Sequence, residues 1–420
     1  MSIFLEKEMQ CGLLGEKLSH SFSPEIHAQL ADYSYKLIEV PRDKVADFMI
    51  RRNFNAINVT IPYKQTVMPF CETISEEAKR IGSVNTIVKD CDGKLHGYNT
   101  DYYGFAYMAK KAGIDFAGKK VLILGSGGTS KTVRTVVLDA QASDVIIVSR
   151  KGENNYTNLR LHKDAEILIN ATPVGMYPNT EKSPIDLNDF PKCSGVLDVI
   201  YNPLKTRLLQ QGSALNLKYS NGLRMLVAQA KVASEYFLGR PLPDEKIEAV
   251  FAKMNRDAAN IVLIGMPGCG KSTIGKALAA QKHRVFVDTD ELIVKRAGKS
   301  IPEIFAESGE ETFRRLEEAA IAECSREKGQ IIATGGGAVL RERNRLNLQQ
   351  NGILFYLQRH LKELQIAHGR PLAQDHAAVA KLLQQREKRY LFCADVVIQN
   401  KGLIKDVVED IRNSFCSLEN

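Results

Sequence analysis

The stretch GMPGCGKST occupies residues 265–273 and follows a short apolar run at 261–264. It fits the pattern G-x-x-x-x-G-K-[ST], in which a strand leads into a glycine-rich turn and then into a helix. The glycines let backbone N–H groups turn toward phosphate oxygens, and the helix N-terminus adds partial positive charge. The pattern therefore predicts a nucleotide-binding loop. Its expected phosphate-binding residues are Gly268, Cys269, Gly270, Lys271, Ser272 and Thr273.

Two carboxylates close the next predicted strand, in VFVDTD at 285–290. Asp288 and Asp290 are two positions apart, so on a strand they would point to the same face. One could hold Mg²⁺ together with the Ser272 hydroxyl, while the other orients a hydroxyl nucleophile. The sequence lacks the N-K-x-D box that reads guanine. These features favour phosphoryl transfer to a small hydroxyl compound.

Four more motifs follow in order: ESGEETFRRLEE (307–318), ATGGGAV (333–339), HGRPLA (368–373) and REKRY (386–390). Taken singly, each has a plain structural explanation, and Arg314 alone could be a solvated charge on a helix face. Together, and in this order, they resemble shikimate kinase over about 258–415. The resemblance implies ATP and Mg²⁺ as cofactors.

The kinase resemblance also implies roles for individual residues. Asp288 and Ser272 would hold the metal, Lys271 would act on the phosphates, and Arg370 would close over the transferring phosphoryl group and bind ATP. Asp290 would hydrogen-bond the accepting hydroxyl as a catalytic residue. The residues expected to bind shikimate are Asp290, Arg314, Gly335, Gly336, Gly337 and Arg386.

A second glycine-rich loop, GSGGTSKT (125–132), lies between an apolar run at 121–124 and a predicted helix. Such a loop can approach a pyrophosphate closely. Ser130 stands where the third glycine of G-x-G-x-x-G belongs, so the pattern alone could be a structural turn. Arg150 and Lys151 end the next strand, where an NAD site carries an acid. They favour a 2′-phosphate and therefore NADPH, although alone they could be a solvated pair.

Seven further motifs span the first half: LSHSFSPEIH (18–27), NVTIPYK (58–64), GSVNT (82–86), GYNTDYYGF (97–105), NATPVGM (170–176), DVIYNP (198–203) and GLRMLVAQA (222–230). This succession resembles shikimate dehydrogenase over nearly all of 11–240. The resemblance implies reduction of 3-dehydroshikimate by NADPH.

Reducing a ketone needs a proton donor near the carbonyl oxygen, and Lys64 with Asp101 as its carboxylate partner can supply one. By the resemblance, the substrate-binding residues are Ser21, Ser23, Thr60, Lys64, Asn85, Asn99, Asp101, Tyr201 and Gln229. The NADP-binding residues are Gly125, Ser126, Gly127, Gly128, Thr129, Ser149, Arg150, Lys151, Thr172, Met176 and Gly222.

Short apolar runs alternate with longer stretches at helical spacing, which predicts α/β domains with parallel sheets. Residues 1–103 and 222–257 are expected to form an open-sheet substrate domain, and 104–221 a Rossmann NADP-binding domain. Residues 258–420 are expected to form a P-loop domain of the nucleoside monophosphate kinase type. No Gly/Ser tether separates the halves, because Pro243 begins a predicted helix just before the last domain.

The net charge is +8, with acidic and basic residues interleaved, so small anionic substrates are expected rather than nucleic acid. Eight scattered cysteines, no signal peptide and no membrane-length apolar run favour the cytoplasm and no membrane partner. Two alternatives remain open. One is a non-catalytic regulator built from the same folds, and the other is a first half that prefers quinate.

Overall fold

A computed structural model of the chain describes residues 6–18, 21–365 and 375–417. Within these residues the chain divides into two compact units. The first contains the residues up to Gly175, Lys182–Tyr201 and Gln211–Met254. The second contains Met176–Glu181, Asn202–Gln210 and the chain from Asn255 onward.

The first unit begins with a six-stranded sheet whose strand order is β2-β1-β3-β5-β6-β4. Its strands are β1 (Gln10–Gly15), β2 (Ser34–Glu39), β3 (Ala56–Val59), β4 (Thr73–Ile74), β5 (Thr86–Lys89) and β6 (Leu95–Tyr98). Its helices are α1 (Ser23–Leu30), α2 (Val45–Arg51), α3 (Glu76–Ile81) and α4 (Asp101–Lys111).

This first sheet is mixed, whereas the alternating pattern predicted parallel strands. β5 runs antiparallel to both β3 and β6. The β5–β6 pairing follows from the tight turn between these strands, where Asp90 accepts hydrogen bonds from the N–H groups of Asp92 and Lys94 and Gly93 adopts φ +80°. A connection this short joins only antiparallel neighbours.

The second sheet of the first unit is wholly parallel, in the order β11-β10-β9-β7-β8. Its strands are β7 (Lys120–Leu124), β8 (Asp144–Val148), β9 (Ile167–Asn170), β10 (Gly195–Asp198) and β11 (Lys218–Ser220). The helices in this part of the chain are α5 (Gly128–Asp139), α6 (Arg207–Ala214), α7 (Leu223–Leu238) and α8 (Glu245–Ala258).

The second unit is built on a parallel five-stranded sheet in the order β13-β14-β12-β15-β16. Its strands are β12 (Asn260–Ile264), β13 (Phe286–Asp288), β14 (Ile331–Ala333), β15 (Gly352–Gln358) and β16 (Val396–Gln399). Its helices are α9 (Lys271–Lys282), α10 (Thr289–Ala297), α11 (Ile301–Cys324), α12 (Glu342–Leu348), α13 (His376–Cys393) and α14 (Ile404–Ser417).

The apolar runs of the sequence form the buried cores. Every residue of β12 is buried, as expected for a central parallel strand with helices on both faces. The predicted α/β class is thus confirmed. None of the helices in the described part of the chain has the length and hydropathy needed to cross a lipid bilayer.

The contact between α4 and α7 yields a stability prediction. An added Cβ at Gly104 would lie 2.6 Å from the carbonyl oxygen of Met225, which belongs to the backbone of α7. Gly104→Ala should therefore destabilise the first unit by about 1–3 kcal/mol, because the helices must separate. Urea unfolding of the full chain, followed by circular dichroism, measures the loss.

A matched control is Gly212→Ala in α6, where the nearest atoms to an added Cβ lie at 3.8 Å. Because alanine favours a helix over glycine by about 1 kcal/mol, this variant should be neutral or more stable. Equal destabilisation by the two substitutions would contradict the packing argument.

Candidate active sites

The first site lies at one edge of the mixed sheet. Asn58 in β3 is paired with Thr86 at the start of β5, and Thr86 is paired with Tyr98 at the end of β6. The segments beyond these positions therefore leave the sheet at the same edge. They carry Thr60, Asn85 and Asp101, which is why residues far apart in the sequence meet here.

A cavity of about 110 Å³ opens at this edge. Eight of the nine predicted substrate-binding residues line it: Ser21, Ser23, Thr60, Lys64, Asn85, Asp101, Tyr201 and Gln229. The wall also contains residues that the sequence reasoning missed, namely Leu13, His27, Asn58, Val59, Leu226 and Ala230.

Lys64 and Asp101 form an ion pair in this cavity. Lys64 Nζ donates to Asp101 Oδ2 at 2.6 Å, and the two side chains are 24% and 7% exposed. Asp101 is the first residue of α4, so the positive end of that helix also faces its carboxylate. The arrangement holds a charged ammonium group in a fixed direction inside a mostly buried pocket.

The amide side chains of the cavity wall are fixed by other polar groups. Asn85 Oδ1 accepts from the N–H of Thr100 at 2.7 Å, and Asn85 Nδ2 lies 3.4 Å from Gln229 Oε1. Burial raises the pKa of the Tyr201 hydroxyl, so this group remains a donor near neutral pH. Asn99 is not among the residues lining the cavity, because its amide donates to the Ser83 carbonyl at 2.9 Å.

His27 is the most informative of the missed residues. It lies in α1, is 1% exposed, and its ring stacks on Tyr35 at 3.9 Å between centroids. Burial lowers the pKa of its imidazole to about 3. Both His27 and Asn58 stand inside quoted motifs, LSHSFSPEIH and NVTIPYK, but the sequence alone did not indicate that they reach the cavity.

The predicted NADP residues gather at the carboxyl edge of the second sheet. Leu124 at the end of β7 is paired with both Val148 and Asn170, so the loops after β7, β8 and β9 leave the sheet side by side. This edge contains the switch point of the strand order, where open α/β sheets bind ligands. It carries the predicted set Gly125, Ser126, Gly127, Gly128, Thr129, Ser149, Arg150, Lys151 and Thr172.

The glycine loop has the form that a dinucleotide phosphate requires. Gly125 adopts φ +111°, and an added Cβ would lie 2.9 Å from the Ala171 carbonyl oxygen. Gly127 and Gly128 are exposed with open space around them, and α5 begins there without a side-chain cap. The free N–H groups of α5 thus remain available to an anion, which fits the pyrophosphate of NADP.

The other residues predicted to bind NADP lie in different surroundings. Arg150 and Lys151 are exposed directly after β8, where they can meet a 2′-phosphate. Ser130, at the third glycine position, is a buried residue of α5 itself. Met176 is 44% exposed and belongs to the second unit. Gly222 contacts backbone closely, because an added Cβ would lie 2.0 Å from the Val199 carbonyl oxygen.

The second site lies at the carboxyl edge of the sheet in the second unit, in a cavity of about 240 Å³. Lys271 Nζ is buried and donates to the carbonyl oxygens of Gly265 and Met266 at 2.9 Å each. Gly268 and Gly270 adopt φ +81° and +96°, so the loop folds with the N–H groups of α9 directed to the cavity edge. These features fit the phosphates of ATP.

Ser272 and Asp288 meet at this edge, as a magnesium site requires. Ser272 Oγ donates to Asp288 Oδ2 at 2.5 Å. Asp288 also caps α10 by accepting from the N–H of Asp290 at 2.9 Å, which directs Asp290 into the cavity. The described residues contain no cluster of three or more His, Cys, Asp or Glu side chains that could hold a metal ion. One carboxylate and one hydroxyl suit Mg²⁺, which keeps several waters.

The three glycines at 335–337 each allow a close approach. An added Cβ at Gly335 would lie 2.7 Å from Asp290 Oδ1, and one at Gly337 would lie 2.3 Å from Arg314 Nη1. At Gly336 it would lie 2.6 Å from Pro267 Cδ. Side chains at any of these positions would enter the space that the neighbouring groups occupy.

Arg314 lines the cavity and is buried. Its guanidinium donates to Glu317 Oε2 and to Glu310 Oε1, both at 2.9 Å. Burial acts to lower the pKa of Arg314, but the two carboxylates hold it above its ordinary value. Burial raises the pKa of Glu317, and Arg314 opposes this rise without cancelling it. Arg386 lines the same cavity and donates to the Gly336 carbonyl at 3.2 Å.

The second cavity gathers nearly all residues predicted for it. All six predicted shikimate-binding residues line it, as do five of the phosphate-loop residues and Asp288. Cys269 is wholly buried and does not line the cavity. Arg370 lies outside the described residues. Sequence reasoning missed Glu317 as a site residue, although the motif containing it was recognised, and it missed Ile301, Phe305 and Thr334.

Comparisons with known proteins give a family for each half of the chain. Residues 13–87 match the model of the shikimate dehydrogenase substrate binding domain, and residues 267–415 match that of shikimate kinase. Shikimate dehydrogenase (NADP(+)) of Clostridium beijerinckii is 38% identical over 260 residues, which is 57% of this chain and 96% of the relative.

Two solved structures resemble the first part of the chain. One is a chorismate mutase/shikimate 5-dehydrogenase fusion protein from Clostridium acetobutylicum, with 35% identity and a TM-score of 0.55 over 58% of this chain and 96% of that one. The other is shikimate 5-dehydrogenase from Thermus thermophilus in complex with NADP(H) and shikimate. It has 29% identity and a TM-score of 0.53 over 58% of this chain and 99% of that one.

Fold and sites together define an NADP-dependent oxidoreductase joined to a P-loop kinase in one chain. The chain belongs to the shikimate dehydrogenase family and carries a shikimate kinase domain after it. It is a bifunctional enzyme of the shikimate pathway, and the predicted cofactors NADP, ATP and Mg²⁺ agree with these families.

The close approach at Gly337 yields a kinetic prediction. Gly337→Ala should displace the Arg314 guanidinium, because Glu310 and Glu317 hold it against the glycine. We expect the KM for shikimate in the kinase reaction to rise about 10- to 100-fold, the effect of weakening charge-assisted hydrogen bonds. The dehydrogenase activity of the same variant is the internal control. An unchanged KM would contradict this account of the glycine.

The buried histidine yields a prediction for stability against pH. The pKa of His27 in the folded chain is about 3, against an ordinary 6.5. The neutral ring therefore contributes fully to the free energy of unfolding above pH 6.5, and this contribution is lost as pH falls toward 3. His27→Gln should remove about 3 kcal/mol of acid destabilisation between pH 7 and pH 4.5, since two pH units below 6.5 fall within that interval. Urea unfolding at pH 7 and pH 4.5 measures it, with His96→Gln at the partly exposed hairpin as control. Identical pH slopes for wild type and His27→Gln would contradict it.

Proposed function

We propose that the chain catalyses two consecutive reactions. In the first, NADPH reduces 3-dehydroshikimate to shikimate. In the second, ATP phosphorylates the 3-hydroxyl of shikimate to give shikimate 3-phosphate. The observation that carries the proposal is that one chain contains both donor sets, Lys64 with Asp101 in one cavity and Ser272 with Asp288 and Asp290 in the other.

In the first reaction, we assign the proton transfer to Lys64. NADPH, when bound, supplies the hydride for the carbonyl carbon. Lys64 donates a proton to the oxygen that becomes the new hydroxyl, and its ammonium charge stabilises that oxygen while negative charge develops. Asp101 holds the ammonium group in position at 2.6 Å and accepts a hydrogen bond from a ring hydroxyl.

Recognition of the substrate falls to the other polar residues of the first cavity. Ser21 and Ser23 bind the substrate carboxylate with their hydroxyls. Thr60, Asn85 and Gln229 bind ring hydroxyls and Tyr201 closes the pocket. The fixed orientation of the Asn85 amide supports this assignment, because a preformed donor loses little entropy on binding. We also assign Asn99 to a ring hydroxyl of the substrate.

For the cofactor, we assign the pyrophosphate to the glycine loop that starts at Gly125 and the 2′-phosphate to Arg150 and Lys151. Thr172 and Met176 would lie near the nicotinamide half, and Gly222 would close the site from the start of α7. The uncapped start of α5 and the exposed cations after β8 support this arrangement.

In the second reaction, we assign phosphate binding to the loop around Lys271 and metal binding to Ser272 and Asp288. Bound Mg²⁺ neutralises charge on the phosphates. Asp290 orients the attacking hydroxyl and accepts its hydrogen bond. Arg314 and Arg386 bind the shikimate carboxylate, and Arg370 acts on the transferring phosphoryl group. The burial of both carboxylate-binding arginines beside the glycines supports this assignment.

Three wider proposals accompany the two reactions. We place the substrate domain at 1–103 with 222–257, the NADP domain at 104–221 and the kinase domain at 258–420. We propose that the enzyme works in the cytoplasm, which is supported by eight cysteines that are all free. Its partners are small molecules, with no nucleic acid and no membrane among them.

A pair of substitutions tests the assignment, each serving as control for the other. Lys64→Ala should lower the dehydrogenase kcat about 10²- to 10⁴-fold, because it removes the proton donor, and leave kinase kcat unchanged. Ser272→Ala should lower kinase activity at subsaturating Mg²⁺ and leave NADPH oxidation unchanged. NADPH absorbance and coupled ADP release report the two activities separately.

Three results would count against the proposal. Loss of both activities from either single substitution would mean that the residues act on folding rather than chemistry. Wild-type protein inactive toward both substrates would favour a regulator. Faster turnover of quinate with NADP⁺ than of shikimate would favour the quinate alternative.

A further inference from the structure

A chain of hydrogen bonds runs behind the wall of the first cavity and ties three elements together. His27 Nδ1 in α1 lies 2.6 Å from Tyr33 Oη, which precedes β2. Tyr33 Oη lies 2.6 Å from Ser234 Oγ in α7. Ser234 Oγ lies 2.8 Å from the carbonyl oxygen of Ala230, one turn earlier in the same helix.

The directions of these bonds follow from counting hydrogens. The Ala230 carbonyl can only accept, so Ser234 donates its single hydroxyl hydrogen there. Tyr33 must then donate its own hydrogen to Ser234. The remaining contact has a donor only if His27 carries a hydrogen on Nδ1. Any other assignment leaves one of the three short contacts without a hydrogen.

A second group of contacts connects the same ring to the cavity wall. Tyr35 stacks on His27, and its hydroxyl donates to Asn58 Oδ1 at 2.8 Å. Asn58 Nδ2 in turn donates to Thr86 Oγ1 at 3.1 Å. Asn58 lines the cavity. The His27 ring therefore supports this part of the cavity wall through its stacking contact with Tyr35.

The surroundings of the ring keep it uncharged. The groups packed against it are Tyr33 and Tyr35 from β2 and its approach, Asn58 from β3, and Ser234 and Phe237 from α7. None carries a charge near neutral pH. The charged pair of the cavity, Lys64 and Asp101, is satisfied within itself.

We propose that His27, as the neutral tautomer with its hydrogen on Nδ1, is a positioning residue for the dehydrogenase reaction. With the hydrogen on Nδ1 donated to Tyr33, the ring is held in its stack on Tyr35, and Nε2 offers a lone pair and no hydrogen. The amide of Asn58 is fixed with its oxygen toward Tyr35 and its nitrogen toward Thr86. This fixes the side of the pocket that includes Asn58. The inference rests on the proposed dehydrogenase function and concerns how that site selects its substrate.

The test separates positioning from folding by a split in kinetic constants. His27→Leu should raise the KM for 3-dehydroshikimate about tenfold, the effect of losing one or two neutral hydrogen bonds. The KM for NADPH and the kinase activity should stay unchanged. His27→Asn, whose amide N–H can replace Nδ1–H, should recover most of the loss. Between pH 5 and 8, the pH profile of kcat/KM should have the same shape in the wild type and in His27→Asn.

A direct measurement on the unmodified chain covers the case in which His27→Leu fails to fold. ¹⁵N NMR of the imidazole should show Nδ1 protonated and Nε2 unprotonated, with the Nε2 signal shifting when shikimate is added. Tyr33→Phe keeps the buried ring and removes only the hydroxyl, so it should raise the same KM by a few-fold.

The outcomes distinguish this inference from the proposed function. If wild-type protein does not reduce 3-dehydroshikimate, the proposed function fails, and the NMR assignment still decides the tautomer. If wild-type protein is active but Nε2 carries the hydrogen, the inference is overturned. It is also overturned if His27→Leu leaves the KM unchanged or alters both KM values and the unfolding midpoint together.

Discussion

Both sites depend on the register of strands that end at a common sheet edge. In the second unit, Ala333 is paired with Asp288, and Leu263 is paired with Ala333, so three loops leave the sheet at one level. The same holds for the loops after β7, β8 and β9. In the mixed sheet, the antiparallel strand β5 contributes its beginning rather than its end. Strand register thus brings together groups that are far apart in the sequence, and no flexible connection is needed for this.

Two of the buried cations at these edges are held by ion pairs. Lys64 is paired with Asp101, and Arg314 with Glu317 and Glu310. Removing one partner of such a pair leaves an uncompensated charge in a low-dielectric setting, which costs several kcal/mol. The charges therefore fix one another's direction before substrate arrives. The glycines at 335–337 make this possible in the kinase site, since any side chain there would occupy the same space.

Much of this architecture could be predicted because phosphate loops and strand ends are local features. The stretch at 265–273 carries its strand, turn and helix within about twenty residues, and the resemblance to two families supplied the order of the remaining motifs. The mixed pairing of β5 was missed because the apolar pattern is alike for both directions. His27 was missed because its partner Ser234 lies 207 positions away, a separation that no local pattern reports. Glu317 was overlooked because a helical acid usually faces solvent, whereas this one is wholly buried. The role of Arg370 stays a prediction from the sequence.

The central claim is that one chain carries two working sites for successive steps at the same ring carbon. The most direct measurement is to incubate purified chain with 3-dehydroshikimate, NADPH and Mg²⁺–ATP and to identify the products by mass spectrometry. The account predicts shikimate 3-phosphate without any helper enzyme, and shikimate when ATP is omitted. Unchanged 3-dehydroshikimate in the complete mixture would contradict it.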